Sequence, residues 1–347
     1  MNLKLSILDQ TPIRRGSSAI EALQESVELI KLADTSGYTR FWVSEHHNIS
    51  TLACAAPEVL LARLGASSNR IRLGSGGIML PNHSALKVAE NFRLLEALFP
   101  GRIDLGMGRA PGGDRLTASL LNPANTFDPE DYVAQITALK SFLAEDAVPG
   151  EVYEKVKAIP RIKHTPELWM LTSSGESAYL AAHFGMFLSF AQFINPVGGP
   201  EAMYQYRKRF KPSGTTMHPQ GSVGIFAFCG DTEEKAARVQ AVMDYRLLNL
   251  AKGHTDEAPS FESVKNYKYS SDELRFVQYN RQRMIIGTPD KVREEMSSLA
   301  RDFEVDEIVI ATFADSAEDR LRSYQLLADI FALKEQKSGM EAGLKAG

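Results

Sequence analysis

The sequence predicts an α/β fold of the (β/α)8 (TIM) barrel type with loop insertions, and three observations carry this prediction. The chain has 347 residues, of which 44% are hydrophobic and 24% are charged, as in a globular protein with a sizeable core. Short apolar runs alternate with longer amphipathic segments, a pattern typical of βα units around a parallel sheet. Eight such units are visible, and a doubly wound sheet normally has fewer strands.

In the first half of the chain, each predicted strand is followed by a helix whose ends are marked. The strands are residues 3–8, 40–45, 71–80 and 102–107, and the helices are residues 18–36, 57 onward, 85–99 and 128–144. Gly37 ends the first helix as a C-cap, and Pro57 begins the second because the first helical turn needs no N–H there. Pro100 and Gly101 stop the third helix, and Asp128 caps the fourth.

The second half continues the alternation. The strands are residues 167–171, 186–190, 222–228 and 307–312, and the helices are residues 174–184, 199–210, 232–250, 288–303 and 317–333. Residues 251–283 show little periodicity and are predicted to be a long excursion, in which Tyr267 and Tyr269 either cover the site or belong to a surface loop. We predict one domain over residues 1–335 and a flexible tail over residues 336–347. A barrel needs ~250 residues, so the surplus is expected to form loops around the site.

Charge and cysteine content exclude several classes of protein. The 39 Lys and Arg residues are balanced by 43 Asp and Glu residues, so no positive excess is present to neutralise a nucleic acid. Cys54 and Cys229 lie in apolar sequence without metal-ligand spacing, as expected of buried thiols in a reducing compartment. Asp9 comes too early for a secretory signal, and no apolar run approaches the ~18 residues of a membrane span. We therefore expect a cytoplasmic protein that binds neither nucleic acid nor membrane.

The functional residues of such a barrel lie where strands end, and the second strand ends in Glu-His-His at residues 45–47. Side chains alternate along a strand, so His46 and Glu45 point to opposite faces. A histidine at the barrel mouth suits proton transfer near neutral pH, and two surface histidines are the alternative. A zinc site would need further His, Asp or Glu at other strand ends. The next strands offer Arg109, Ser173 and Gln192 instead, so we predict no metal.

Glycines mark the ends of the third and fourth strands. Gly76 and Gly77 lie inside a strand, which indicates either a flat ligand against the backbone or a bulge at a barrel corner. The fourth strand ends in Gly-Met-Gly-Arg-Ala-Pro at residues 106–111. This run resembles a dinucleotide fingerprint but fails it, because Pro111 replaces the third glycine and a loop follows where a helix is required.

Arg109 and the segment after the fifth strand indicate a phosphorylated ligand. A guanidinium at a barrel mouth suits bidentate phosphate binding, although a lone arginine on a loop is usually solvated. Hydroxyl groups and free helical N–H groups also bind phosphate, and ordinary N-capping by one serine is the alternative. The residues that supply them are Ser173, Ser174, Gly175 and Ser177.

Together these motifs resemble the bacterial luciferase-like, flavin-dependent monooxygenase family. The matching segments run over nearly the whole chain: FWVSEHH at 41–47, GSGGIMLPNH at 74–83, LEALFPGRIDLGMGR at 95–109, SSGES at 173–177 and IGTPD at 286–290. The resemblance implies the barrel fold and FMN as cofactor. It also implies that His46 is the catalytic acid/base and that Gly76–Gly77 is the position of a non-prolyl cis peptide beneath the flavin ring. The phosphate-binding positions implied are Arg109, Ser173, Ser174 and Ser177.

The resemblance further implies that reduced FMN and O2 oxygenate a small organic substrate at a site that excludes water. Because the dinucleotide fingerprint fails, reduced flavin is expected from a separate NAD(P)H:flavin reductase. A homo-oligomer, specifically a dimer, is expected. Three alternatives remain open: a deazaflavin F420-dependent dehydrogenase on the same barrel, a non-catalytic flavin-binding protein, and a zinc-dependent barrel hydrolase.

Overall fold

Eight parallel strands close into a ring, in a computed structural model that describes residues 3–144, 155–214 and 216–333. The described residues contain nine strands, of which β8 lies outside the ring: β1 Lys4–Asp9, β2 Arg40–Val43, β3 Arg72–Met79, β4 Ile103–Gly108, β5 Glu167–Thr172, β6 Phe187–Ala191, β7 Gly221–Cys229, β8 Met284–Gly287 and β9 Glu307–Ala311. The ring runs in the order β1-β2-β3-β4-β5-β6-β7-β9 and closes between β9 and β1. The predicted (β/α)8 barrel is confirmed, while the predicted tail at 336–347 lies outside the described residues.

Helices cover the barrel and connect its strands. They are α1 Ala19–Ser36, α2 Pro57–Gly65, α3 Ala85–Leu98, α4 Arg115–Leu121, α5 Pro129–Leu143, α6 Gly175–Phe184, α7 Gly199–Arg209, α8 Glu233–Ala251, α9 Phe261–Val264, α10 Ser271–Asn280, α11 Pro289–Phe303 and α12 Ala317–Ile330. The predicted ends hold at Gly37, which caps α1 with a φ of 87°, and at Asp128, whose side chain accepts from the Glu130 N–H. Across the described segments, no helix is both long and apolar enough to cross a membrane.

The structure adds elements that the sequence patterns did not predict. All eight predicted strands lie in the ring, and β8 is a ninth strand that pairs in parallel with the last four residues of β7. The prediction of an irregular excursion over 251–283 is wrong in part, because α9 and α10 form there. The loop expected after β4 likewise contains α4. These elements are short, so local propensity gives them a weak signal.

A buried ion-pair network fills the barrel at the N-terminal ends of the strands. The Arg40 guanidinium contacts carboxylate oxygens of Asp104 at 2.9 Å, Glu167 at 3.0 Å and Glu307 at 2.8 Å. Arg72 also pairs with Asp104, at 2.6 Å. Burial opposes the charge of Arg40, but these carboxylates outweigh it and raise the pKa of Arg40 above its usual value. This end of the barrel is therefore a closed, paired core, and the open end lies opposite.

Candidate active site

Two neighbouring cavities lie at the C-terminal ends of the strands, where the βα loops begin. The first cavity has a volume of about 410 Å³ and is lined mainly by the ends of β3, β4, β5 and β6. The second cavity has a volume of about 220 Å³ and is lined by the loop after β2, by α8 and by part of the 251–283 excursion. Phe193 and Ile194, just after β6, line both cavities and form a wall that the two share.

Gly76 and Gly77 line the first cavity from β3. The peptide bond between them is cis, the geometry that the family resemblance leads us to expect. The pairing of β3 with β4 shifts register between Gly76 and Ile78, an irregularity that is compatible with the bulge interpretation of these glycines. A Cβ on Gly77 would lie 2.7 Å from the Gly106 carbonyl oxygen. The backbones therefore approach too closely for a side chain, and the same backbone forms part of the cavity wall.

The polar end of the first cavity consists of Arg109, Ser173, Ser174 and Ser177. Ser174 occupies the N-cap position of α6 but its side chain makes no capping hydrogen bond. The alternative of ordinary serine capping is therefore wrong here. Gly175 begins α6, and a Cβ built on it meets no atom within 4 Å. The N-terminus of α6 is thus open, with its N–H groups and nearby hydroxyls available to an anion.

Arg109 pairs with Glu176, a residue that the sequence reasoning did not single out. The Arg109 Nη2 atom donates to Glu176 Oε2 at 3.0 Å, and the two side chains are 41% and 75% exposed. Such exposed pairs contribute little free energy. A phosphate held by the guanidinium and the N-terminus of α6 would compete with this carboxylate for Arg109.

His46 lines the second cavity, which shares Phe193 and Ile194 with the first. Its Nδ1 lies 3.1 Å from Ser44 Oγ, and its backbone N–H donates to the Cys54 carbonyl at 3.0 Å. Burial lowers the pKa of His46 to about 4, with the charge of Glu45 opposing this shift and that of Arg246 adding to it. The imidazole is therefore neutral at pH 7, and no described residue hydrogen-bonds its Nε2.

Glu45 lies beyond the end of β2 at Val43, so the strand alternation does not extend to it, and it is fully buried. Its Oε1 accepts from His47 Nε2 at 2.7 Å and from His83 Nε2 at 2.9 Å, and its Oε2 accepts from the Met79 N–H at 2.9 Å. Burial favours the neutral carboxyl, but these hydrogen bonds outweigh burial and lower the pKa of Glu45. The alternative of two surface histidines is wrong, since His47 has only 11% of its side chain exposed.

No group of three or more His, Cys, Asp or Glu residues suited to a metal ion is found among the described residues. Cys54 and Cys229 are both buried and free. Burial raises the pKa of each thiol to about 12, so both remain protonated, and the prediction of buried thiols is confirmed.

The comparison with protein families shows to which family of barrel proteins the chain belongs. The model of the luciferase-like monooxygenase family matches residues 1–307 of the chain. The chain belongs to this family. The resemblance noted in the motifs is therefore confirmed. Relatives in the family are named monooxygenases, which is consistent with an oxidoreductase that uses O2.

Relatives in the family match over almost their whole length. The uncharacterized protein YwcH of Bacillus subtilis is 47% identical over 331 residues, which are 95% of this chain and 99% of that protein. The N-acetyl-S-alkylcysteine monooxygenase of B. subtilis is 37% identical over 335 residues, covering 94% of this chain and 98% of its own. The crystal structure of apo-MsnO8 shares 35% identity with a TM-score of 0.89, covering 96% of this chain and 100% of that one.

More distant structures share the fold alone. One is the oxygenating constituent of 3,6-diketocamphane monooxygenase from Pseudomonas putida in complex with FMN, at 16% identity and a TM-score of 0.66 over 94% of this chain and 97% of that one. Another is an F420-dependent secondary alcohol dehydrogenase, at 10% identity and a TM-score of 0.64 over 95% of this chain and 99% of that one. The same fold therefore occurs in one protein in complex with FMN and in one F420-dependent enzyme.

The excursion over 251–283 covers the second cavity. His254, Thr255 and Arg283 line it, opposite Arg246 of α8. Tyr267 instead packs against both Tyr245 and Tyr269, with ring centroids 4.8 Å apart in each contact. The sequence reasoning missed Arg246 and Arg283, since neither belongs to a motif and only the fold brings them to the barrel mouth.

Proposed function

We propose that the chain is an FMN-dependent monooxygenase that uses reduced FMN and O2 to oxygenate a small organic substrate. The observation that carries the proposal is the first cavity, which joins an open helix N-terminus with Arg109 at one end to the Gly76–Gly77 backbone at the other. Its polar end suits a phosphate, and its remaining wall suits a planar ring. FMN combines these two features in one molecule.

The donor set fits the phosphate of FMN. Three serine hydroxyls, the first N–H groups of α6 and one guanidinium surround the polar end of the first cavity. Such a set neutralises an anion by hydrogen bonds and by the helix dipole together. When bound, FMN supplies the activation of O2, and the protein orients the reactants and manages protons.

The flavin ring would lie against Gly76–Gly77 in the first cavity, whose lining also includes the apolar side chains of Trp42 and Leu171. This wall excludes water from the reacting face, which an O2-activating flavin requires. The substrate would occupy the second cavity, and Phe193 would lie beside both molecules. His46 would exchange a proton there through Nε2, because its Nδ1 lies at hydrogen-bond distance from Ser44 Oγ.

A separate NAD(P)H:flavin reductase completes the proposed system. The run at 106–111 lacks a dinucleotide fingerprint, because Pro111 stands where the third glycine is required. Reduced flavin would therefore arrive from another protein. The substrate class in the name of the relative at 37% identity, N-acetyl-S-alkylcysteines, is the first to test on this chain.

The proposal is tested by reconstitution. The purified protein is titrated with FMN, riboflavin and F420, and O2 consumption is then followed with a flavin reductase, NADH and a panel of thioethers, aldehydes and sulfonates. We expect FMN to bind, and O2 consumption with oxygenated product to depend on substrate. Binding of F420 in place of FMN would support the dehydrogenase instead, and FMN binding without any turnover would support a non-catalytic flavin carrier.

A further inference from the structure

The second cavity contains a partly buried cation, Arg246, with which no described carboxylate pairs. The guanidinium of Arg246, on α8, lies over the ring of Phe313 with its Cζ 4.1 Å from the ring centroid. Among the described residues, no side chain or carbonyl hydrogen-bonds this guanidinium and no carboxylate pairs with it. Two other arginines do have acidic partners on α8. Arg238, also on α8, pairs with Glu234 at 2.7 Å, and Arg281 pairs with Asp244 at 2.7 Å.

Burial has a measurable consequence for this charge. It lowers the pKa of Arg246 to about 10, and no neighbouring carboxylate offsets the shift. A cation over an aromatic ring gains roughly 0.5–2 kcal/mol, less than the several kcal/mol that removing an ion from water costs. The desolvation cost of the Arg246 charge is therefore only partly offset in the free protein. An anion bound in the cavity would offset the remainder.

The other charged side chains of the second cavity do not compensate the charge of Arg246. Arg283 is already engaged, because its Nε donates to the Phe193 carbonyl at 2.7 Å and its Nη1 to Asn280 Oδ1 at 2.6 Å. Glu257 lines the cavity but is exposed and pairs with Arg15 at 3.2 Å. The rest of the wall is mainly apolar: Ile49, Leu52, Phe226, Met243, Leu247 and Phe313.

We propose that the second cavity binds a substrate with a small apolar body and one carboxylate, and that the Arg246 guanidinium holds this carboxylate beside His46. This inference rests on the proposed function and deepens it by naming the substrate class. A guanidinium matches a planar carboxylate in a bidentate geometry. A single guanidinium without a described acidic partner, in a cavity that Glu257 also lines, suits a monoanion better than a doubly charged phosphate. The volume of about 220 Å³ limits the part of the substrate that lies in the cavity to a small group.

The phosphate of FMN is not the anion that Arg246 would hold. Arg246 lines only the second cavity, whereas Arg109 and the three serines line the first. Loss of Arg246 should therefore affect carboxylate binding and leave flavin binding intact. This separation makes the two proposals independently testable.

The test compares acids with their neutral amides. Binding of hexanoate and phenylacetate, and of hexanamide and phenylacetamide, is measured by calorimetry on FMN-loaded protein and by the shift of the Arg246 Nε–H resonance. We expect each acid to bind at least tenfold more tightly than its amide and to move that resonance. If neither acid binds, or if acids and amides bind equally to the unaltered protein, the proposal is wrong.

Variants locate the effect. Arg246→Gln should abolish the preference for acids while FMN affinity and amide binding stay unchanged, and Arg246→Lys should retain part of it because the charge remains without the planar fork. Arg238→Gln, on the same helix but outside the cavity, is the matched control and should keep the full preference. A preference that persists in Arg246→Gln overturns the proposal. Failure of the unaltered protein to bind FMN would instead overturn the proposed function.

Discussion

His46 carries a neutral imidazole in a cavity rather than a protonated acid at the surface. Because burial lowers the pKa of His46 to about 4, the group is poised to accept a proton across the neutral range. It would donate a proton only after receiving one. Within the proposed function, we therefore expect His46 to act first as a base.

Replacing His46 by Ala should reduce oxygenation by about 100-fold or more, the usual contribution of a positioned base. FMN affinity should stay nearly constant, because His46 lines the second cavity and not the first. Turnover with supplied reduced FMN and flavin titration measure the two effects. Ser44→Ala, which removes only the Nδ1 partner, should cause a smaller loss. An equal loss of flavin binding and turnover in His46→Ala would contradict a role in proton transfer.

Arg109 should discriminate between FMN and riboflavin. Replacing Arg109 by Ala removes one charge-assisted contact, worth about 1.5–3 kcal/mol, so FMN should bind about tenfold or more weakly while riboflavin is little affected. Glu176→Gln is the informative companion, since it releases Arg109 from its carboxylate partner and should strengthen FMN binding. Equal losses for FMN and riboflavin in Arg109→Ala would remove the phosphate assignment.

At the scale of elements, Glu45 ties the end of β2 to the turn after β3 through His83. Burial opposes a charged His83, but its hydrogen bond to Glu45 outweighs burial and raises the pKa of His83 above 6.5. Folding therefore favours the protonated form of His83. This stabilisation is fully present below pH 6.5 and is lost as the pH rises through the folded-state pKa.

The expected result is that the free energy of unfolding falls as the pH rises above 6.5, and that His83→Gln removes this fall. Glutamine keeps a donor for Glu45 but does not titrate. Urea unfolding at several pH values on either side of 6.5 measures the effect, with His218→Gln, an exposed histidine, as the control. His46 affects the free energy of unfolding below pH 6.5, because its lowered pKa removes stability as the pH falls below that value. An unchanged pH dependence in His83→Gln would contradict this account.

The order of strands and helices could be predicted because each is marked by periodicity and by caps such as Asp128. The short helix α10 also carried a readable signal, because Ser270 and Glu273 form a capping box. The sequence of β8 contained almost no signal for a strand, since four apolar residues are equally compatible with a helix start. At the site, strand ends predicted His46 and Arg109, whereas Arg246 lies in the middle of a long helix and is brought there by tertiary packing alone.

At the scale of the whole molecule, the buried ion pairs lie at one end of the barrel and the two cavities lie at the other. Arg40 should be the most sensitive residue of the closed end, because its removal leaves buried carboxylates without their shared cation. We expect Arg40→Met to lower the free energy of unfolding by about 3–5 kcal/mol. Urea unfolding measures this, and Lys4→Met is the control, since Lys4 pairs with Asp306 at the surface. A loss no larger than that of Lys4→Met would contradict the assigned role.

A homodimer remains a prediction, and one surface favours it. Val59 of α2 and Leu94 and Leu98 of α3 are exposed on two helices that a hydrogen bond from Asn91 to Glu58 joins. Light scattering should give twice the 38.3 kDa of one chain. Leu98→Glu should shift this mass toward the monomer, whereas Leu274→Glu, at an exposed leucine of α10, should not. A monomeric mass for the unaltered protein would end this prediction.

The wall formed by Phe193 and Ile194 has one more consequence. Any ligand that moves these side chains in one cavity changes the shape of the other, so the two occupancies are linked. Linkage is reciprocal: the factor by which substrate changes the affinity for FMN equals the factor by which FMN changes the affinity for substrate. Which binary complex is more populated therefore depends on the concentration and the intrinsic affinity of each molecule, whereas the ternary complex forms by either route with the same total free energy.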